Sequence, residues 1–154
     1  MTSDFRWAVA ADYDELGRVM FDAVRAGDSP YSEVERAAWV AAPRSGGEWA
    51  RRLSRQDIIV AEENGAIAGF MSLAASGYVD FAYIRPAARG RALFRALYEC
   101  IEKKARQGGV RRLWVHASLM AQPAFKAVGF TVLRAEDVTL NGATLRRFEM
   151  EKPL

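Results

Sequence analysis

The run Phe81-Ala82-Tyr83-Ile84-Arg85-Pro86-Ala87-Ala88-Arg89-Gly90-Arg91-Ala92-Leu93 passes from one structural period to another within thirteen residues. Up to Ile84 it reads as a strand, and Pro86 and Gly90 break it. From Arg91 the period is helical, with Leu93, Leu97, Cys100, Ile101 and Ala105 on one face. On the other face Glu99 with Lys103 and Glu102 with Arg106 stand four apart, which supports the helix. A helix opening straight after a glycine turn presents unpaired backbone N–H groups and the positive end of its dipole. Such a turn suits a pyrophosphate, and Arg89, Arg91 and Arg95 add charge around it. The same pattern is compatible with a surface turn carrying solvated arginines, so the turn alone leaves both open.

Upstream, Tyr78 to Ile84 reads as one strand. It follows Ile58 to Glu62 and Ala66 to Leu73, joined around the hairpin signal Asn64-Gly65. Earlier still come a strand from Phe5 to Val9 and a helix capped by Asp12 with Glu15, bearing Leu16, Val19, Met20, Ala23 and Val24. Ser32 with Glu35 forms a second capping box and opens a short helix through Trp39. Pro43 to Gly47 is a loop, and Glu48 to Leu53 is one or two helical turns. Downstream, Gly108-Gly109 ends the long helix, Leu113 to Ala117 is a strand, and Met120 to Val128 is a short helix closed by Gly129. Val132 to Leu140 and Thr144 to Met150 form a last hairpin around Asn141-Gly142. The order β-α-α-β-β-β-α-β-α-β-β sets hairpin strands before a strand–helix–strand crossover. It predicts an α/β fold with a mixed β-sheet flanked by helices.

The 154 residues suit one domain spanning 1–154. With 51% hydrophobic and 27% charged residues the chain can fold on its own core and is not of the disordered class. A single cysteine excludes a disulfide framework, agrees with a reducing compartment, and comes with no metal-ligand pattern. Met1 to Trp7 lacks the basic and apolar regions of a signal peptide. The longest uncharged run, Ala66 to Val79, is interrupted by Gly69, Ser72, Ser76 and Gly77 and is too short to span a membrane. These features predict a soluble cytoplasmic protein with no membrane partner. The net charge of +3 arises from interspersed signs. No helix-turn-helix and no interleaved exposed aromatics accompany the arginines of 85–95, which argues against a nucleic-acid partner.

Arg89-Gly90-Arg91-Ala92-Leu93-Phe94 resembles the Arg-x-x-Gly-x-Gly/Ala turn of the GNAT N-acetyltransferases. Ser118-Leu119-Met120-Ala121-Gln122-Pro123-Ala124-Phe125, followed by Gly129-Phe130, resembles that family's Asn-x-x-Ala-x-x-x-Tyr and Gly-Phe. One helix and one strand fill the interval, as in the family. Tyr31-Ser32 through Trp39 and the tail from Asn141-Gly142 to Lys152 resemble one bacterial branch, so the likeness covers nearly the whole chain. It implies acetyl-CoA as acyl donor, with its diphosphate on the backbone of Arg89, Gly90, Arg91, Ala92, Leu93 and Phe94. Tyr83, Ile84, Ser118 and Phe125 would make the other donor contacts, and Tyr31 and Trp39 would line the acceptor side. The implied reaction is acetyl transfer to the primary amine of a small molecule or peptide by direct attack. Three residues depart from the family: Ala92 for glycine, Phe94 for a small residue, and Phe125 for the proton-donating tyrosine. They leave open an inactive GNAT-like module that binds an acyl-CoA or another ligand. A homodimer through the closing strands is also left open.

Acyl transfer to an amine needs the amine deprotonated, the thioester carbonyl polarised and the two held in line. A strand period of two sets Tyr78, Asp80, Ala82 and Ile84 on one face, and Asp80 is the carboxylate best placed to accept a proton. It is equally readable as a satisfied strand-end charge. His116, the single histidine, reads as a packed residue of a central strand rather than a base. Cys100 reads as core, and Trp7, Trp49 and Trp114 as packing residues. Glu33 and Glu35 are candidates to meet a cationic amine or are solvated helix charges.

Overall fold

In the computed structural model residues 3–154 are described, so Met1 and Thr2, the start of the stretch read for a leader, lie outside. The chain opens with β1 (Asp4–Trp7) and α1 (Tyr13–Arg25), then α2 (Glu33–Trp39) and α3 (Gly46–Ser54). The capping box that opens α2 is formed, with the Glu35 N–H donating to Ser32 Oγ at 3.1 Å and the Ser32 N–H to Glu35 Oε1 at 2.7 Å. The segment read as one or two turns is the nine-residue α3. β2 (Gln56–Glu63) and β3 (Ala66–Ala74) follow, and their hairpin turns at Asn64 and Gly65 with φ of 52° and 77°. This left-handed pair is what a two-residue Asn-Gly hairpin demands.

The strand read as continuous from Tyr78 to Ile84 is divided into β4 (Tyr78–Val79) and β5 (Ala82–Ile84). β5 completes an antiparallel sheet of order β1-β2-β3-β5. Beyond it lie α4 (Leu93–Gln107), β6 (Arg112–Ser118), α5 (Gln122–Ala127) and the hairpin of β7 (Thr131–Leu140) with β8 (Ala143–Pro153). β4 runs parallel to β6 in a second sheet of order β4-β6-β8-β7. The second sheet is therefore mixed, as the order of elements predicts, with β4 parallel to β6 and the pairs β6–β8 and β7–β8 antiparallel, while the first sheet is antiparallel throughout.

The division has a local cause. The Ser72 N–H donates to the Phe81 carbonyl at 2.9 Å, while the Phe81 N–H is diverted to Ser72 Oγ, also at 2.9 Å. The ladder loses one backbone rung there and the chain bends away. Val79 and Phe81, which a regular strand would set on one face, enter different cores. Val79 joins Leu97, Ile101, Val115 and Met150 under α4. Phe81 joins Leu16, Val19, Trp49 and Leu53 beneath α1 and α3. Helices on both faces of the first sheet explain the near-continuous burial of β2 and β3. β7 is a largely exposed edge. No helix among the described residues is long and apolar enough to cross a membrane.

Candidate active site

The turn before α4 holds Gly90 at φ 79° and Ala92 at φ 61°. For alanine this left-handed conformation costs roughly 1 kcal/mol, so the surrounding contacts must enforce it. The first bond at this helix end runs from the Ala96 N–H to the Ala92 carbonyl at 3.2 Å. The N–H groups of Leu93, Phe94 and Arg95 are left without an acceptor among the described residues, at the positive end of a 15-residue helix.

The nearby arginines are engaged with the protein. Arg85 pairs with Asp22 and donates to the Ile67 carbonyl at 2.9 Å. Arg89 Nη2 donates to the Ala23 carbonyl at 2.7 Å, and burial lowers its pKa. Arg91 Nη2 meets Glu63 Oε1 at 2.7 Å, and Arg95 Nη2 meets the Ala127 carbonyl at 3.3 Å. These side chains fasten the turn to α1, β2 and α5, so attraction for an anion rests chiefly on the backbone.

A cleft of about 240 Å³ opens at this turn, between β5 and the end of β6. Tyr83, Ile84, Arg89, Gly90, Ala92, Leu93, Phe94 and Ser118 line it, as do Tyr31 and Trp39. Of the donor contacts expected from sequence, Arg91 and Phe125 do not. Phe125 is 1% exposed and packs edge-on between Phe94 and Phe130, each ring centre 5.0 Å away. Phe94 is half-buried, one flank on Phe125 and the core, the other bordering the cleft without filling it. Bonds from the Ser72 N–H to the Phe81 carbonyl and from the Arg85 N–H to the Ala68 carbonyl fix the alternation along β5. The backbone groups of Ala82 and Ile84 therefore point away from β3, toward the cleft. Tyr83 contributes its ring rather than its backbone.

A second cavity, of about 160 Å³, shares Tyr31, Trp39, Tyr83 and Ser118 with the cleft. Tyr31 fixes this junction: its hydroxyl donates to the Arg146 carbonyl and accepts the Leu119 N–H at 2.9 Å. Burial raises its pKa. Trp39 stands edge-on to Tyr31 at 5.7 Å. Asp80 lines the second cavity, but its carboxylate accepts three N–H donors. Arg52 Nε lies 3.0 Å from Oδ2, Arg52 Nη2 2.7 Å from Oδ1, and Gln56 Nε2 2.8 Å from Oδ2. Because the strand breaks at this point, Asp80 does not share a continuous face with Ala82 and Ile84.

His116, read from sequence as a packed residue, also lines this cavity. Its Nδ1 lies 2.9 Å from the Tyr78 hydroxyl and its Nε2 3.6 Å from Glu136 Oε1. The tautomer with Nε2–H toward Glu136 and Nδ1 accepting from Tyr78 suits both neighbours. Burial lowers the His116 pKa, Arg147 adds to this and Glu136 opposes it, so the neutral imidazole is favoured. The signal was available in the sequence: on β6 the period of two puts His116 on the same face as Ser118. Neither Glu33 nor Glu35 lines the cavity. Among the described residues no group of His, Cys, Asp and Glu could hold a metal ion.

Comparison with known proteins gives a consistent answer. Residues 27–153 match the family model described as an acetyltransferase (GNAT) domain. An uncharacterized N-acetyltransferase of Escherichia coli (strain K12), YafP, is 28% identical over 140 residues, 90% of this chain and 88% of the relative. A GCN5-related N-acetyltransferase of Rhodopseudomonas palustris superposes with a TM-score of 0.90 at 29% identity, covering 100% of this chain and 97% of that one. A phosphinothricin acetyltransferase of Sinorhizobium meliloti, solved in complex with acetyl-CoA, gives a TM-score of 0.76 at 26% identity, covering 100% and 89%. With its divided strand, free helix N-terminus and paired cavities, this chain belongs to the GNAT acetyltransferase family.

Proposed function

We propose that the protein transfers an acetyl group from acetyl-CoA to a primary amine by direct attack. The observation that carries this reading is the meeting of two cavities at Tyr31, Trp39, Tyr83 and Ser118, one of which ends at the free N–H groups of α4. The diphosphate of the donor suits the N–H groups of Leu93, Phe94 and Arg95 and the Gly90 turn, and its pantetheine arm suits the backbone of Ala82 and Ile84. The donor supplies an activated thioester. The residues supply position and a route for the proton. Asp80 is held by Arg52 and Gln56 and serves to shape the wall. The amine proton passes to the Tyr78 oxygen as Tyr78 gives its own proton to His116 Nδ1, and the resulting imidazolium faces Glu136. Phe125 has no proton to give, so water protonates the departing thiolate. The inactive-module reading is weakened because Ala92, Phe94 and Phe125 leave the cleft open.

Calorimetric titration with acetyl-CoA and thiol release with an amine panel test this. Gly90→Pro should abolish binding, since proline cannot adopt φ near 79°. His116→Gln should lower turnover by roughly a hundredfold while acetyl-CoA affinity is kept. The wild-type rate should climb with pH as imidazolium and ammonium lose their protons. A hundredfold loss in Asp80→Asn with none in His116→Gln would return the proton to Asp80. Binding without amine-dependent thiol release would establish the inactive module.

A further inference from the structure

Arg44, Arg52 and Arg147 all border the acceptor cavity. Two of them are neutralised. Arg52 is bound to Asp80, and Arg147 Nε lies 2.8 Å from Glu136 Oε1. Arg44 has neither hydrogen bond nor ion pair among the described residues, and its guanidinium lies 5.9 Å from the centre of the Trp49 ring. With His116 favoured as neutral, the wall carries one positive charge more than it balances.

The position of Arg44 is built rather than incidental. A Cβ on Gly17, inside α1, would lie 1.9 Å from the Arg44 carbonyl oxygen. Glycine within a helix costs about 1 kcal/mol relative to alanine, and here it admits the loop that carries Arg44 against the helix. Trp49, beneath the guanidinium, is itself fixed by a 2.7 Å bond from Nε1 to the Tyr13 carbonyl.

We infer that the acceptor is a small amino carboxylate, whose acid group is bound by Arg44 while its amine faces the junction of the two cavities. This rests on the acetyl-transfer reading above. The planar guanidinium matches a carboxylate in a two-bond fork, and a cavity of about 160 Å³ suits a molecule of amino-acid size. A diamine or polyamine would place a second cation beside Arg44, with no unengaged carboxylate on the wall to receive it.

The experiment compares three panels by thiol release after acetyl-CoA binding has been measured: free amino acids, the matching amino-acid carboxamides, and diamines. Each is run with wild type, Arg44→Gln and Arg44→Lys. Amino acids should exceed their carboxamides in kcat/KM by roughly tenfold or more. Arg44→Gln should erase that preference through KM with acetyl-CoA affinity unchanged, and Arg44→Lys should keep part of it. Carboxamides or diamines used as well as amino acids by wild type would overturn the inference and leave acetyl transfer standing. So would an equal loss on all panels in Arg44→Gln. Failure of acetyl-CoA to bind, or binding with no thiol release from any panel, would overturn both.

Discussion

Phe125 lies 1% exposed, its ring flanked edge-on by Phe94 and Phe130. A hydroxyl added there enters an aromatic cluster. Burying it without a partner costs roughly 1–3 kcal/mol. Phe125→Tyr should therefore lower the melting temperature while turnover per folded molecule stays unchanged, read by thermal denaturation beside steady-state kinetics. A tenfold rise in turnover would show that the hydroxyl reaches the reacting groups. At this scale the glycine turn was legible in the pattern of residues itself, whereas Tyr31, Trp39 and Ser118 were pointed to by the family resemblance, and all of them line the cleft. Arg44 and Arg52 were marked by neither, because nothing local in a polar loop or a short helix shows what its arginines face. Of the two readings left open for Glu33 and Glu35, the one that set them against a cationic amine in this cavity is not met, since arginines line it instead.

α4 is held to the second sheet by a tie that helical spacing could not reveal. The expected pair of Glu102 and Arg106 forms at 3.4 Å. The stronger partner is Lys152, fifty residues on, whose Nζ lies 2.6 Å from Glu102 Oε1 and 2.8 Å from the Val128 carbonyl. Lys152, with help from the Tyr98 hydroxyl, pulls the Glu102 pKa from 4.5 to about 2. A carboxyl depressed in the folded state stabilises above its unfolded pKa. That contribution disappears as pH falls from about 4.5 toward about 2. Lys152→Met should lower stability at pH 7 by about 1–2 kcal/mol, the partial exposure of both groups moderating the loss. The gap between mutant and wild type should narrow at acid pH. Urea midpoints at pH 7 and pH 3 give the answer, and an equal gap at both would point to lost packing rather than charge.

Across the molecule, the α/β class, both Asn-Gly hairpins and the crossover through α4 were readable from periodicity and turn chemistry. The division of the third strand was not. Apolar alternation runs through Tyr78 to Ile84, and a serine nine residues before Phe81 gives no warning that its side chain will replace a backbone acceptor. That replacement governs how the molecule comes apart. Ser72 is fully buried, and its hydroxyl holds Phe81 in the short link by which β4 of one sheet leads into β5 of the other. Val79 and Phe81 anchor that connection in separate cores, so opening either core pulls on the other. The two sheets should behave as one cooperative unit. Ser72→Ala strands the Phe81 amide, at roughly 1–3 kcal/mol. In native-state hydrogen exchange, the most protected amides of β2 and β3 and those of β6 and β8 should lose that protection by the same amount. Loss confined to one set would mean that the halves melt as independent foldons.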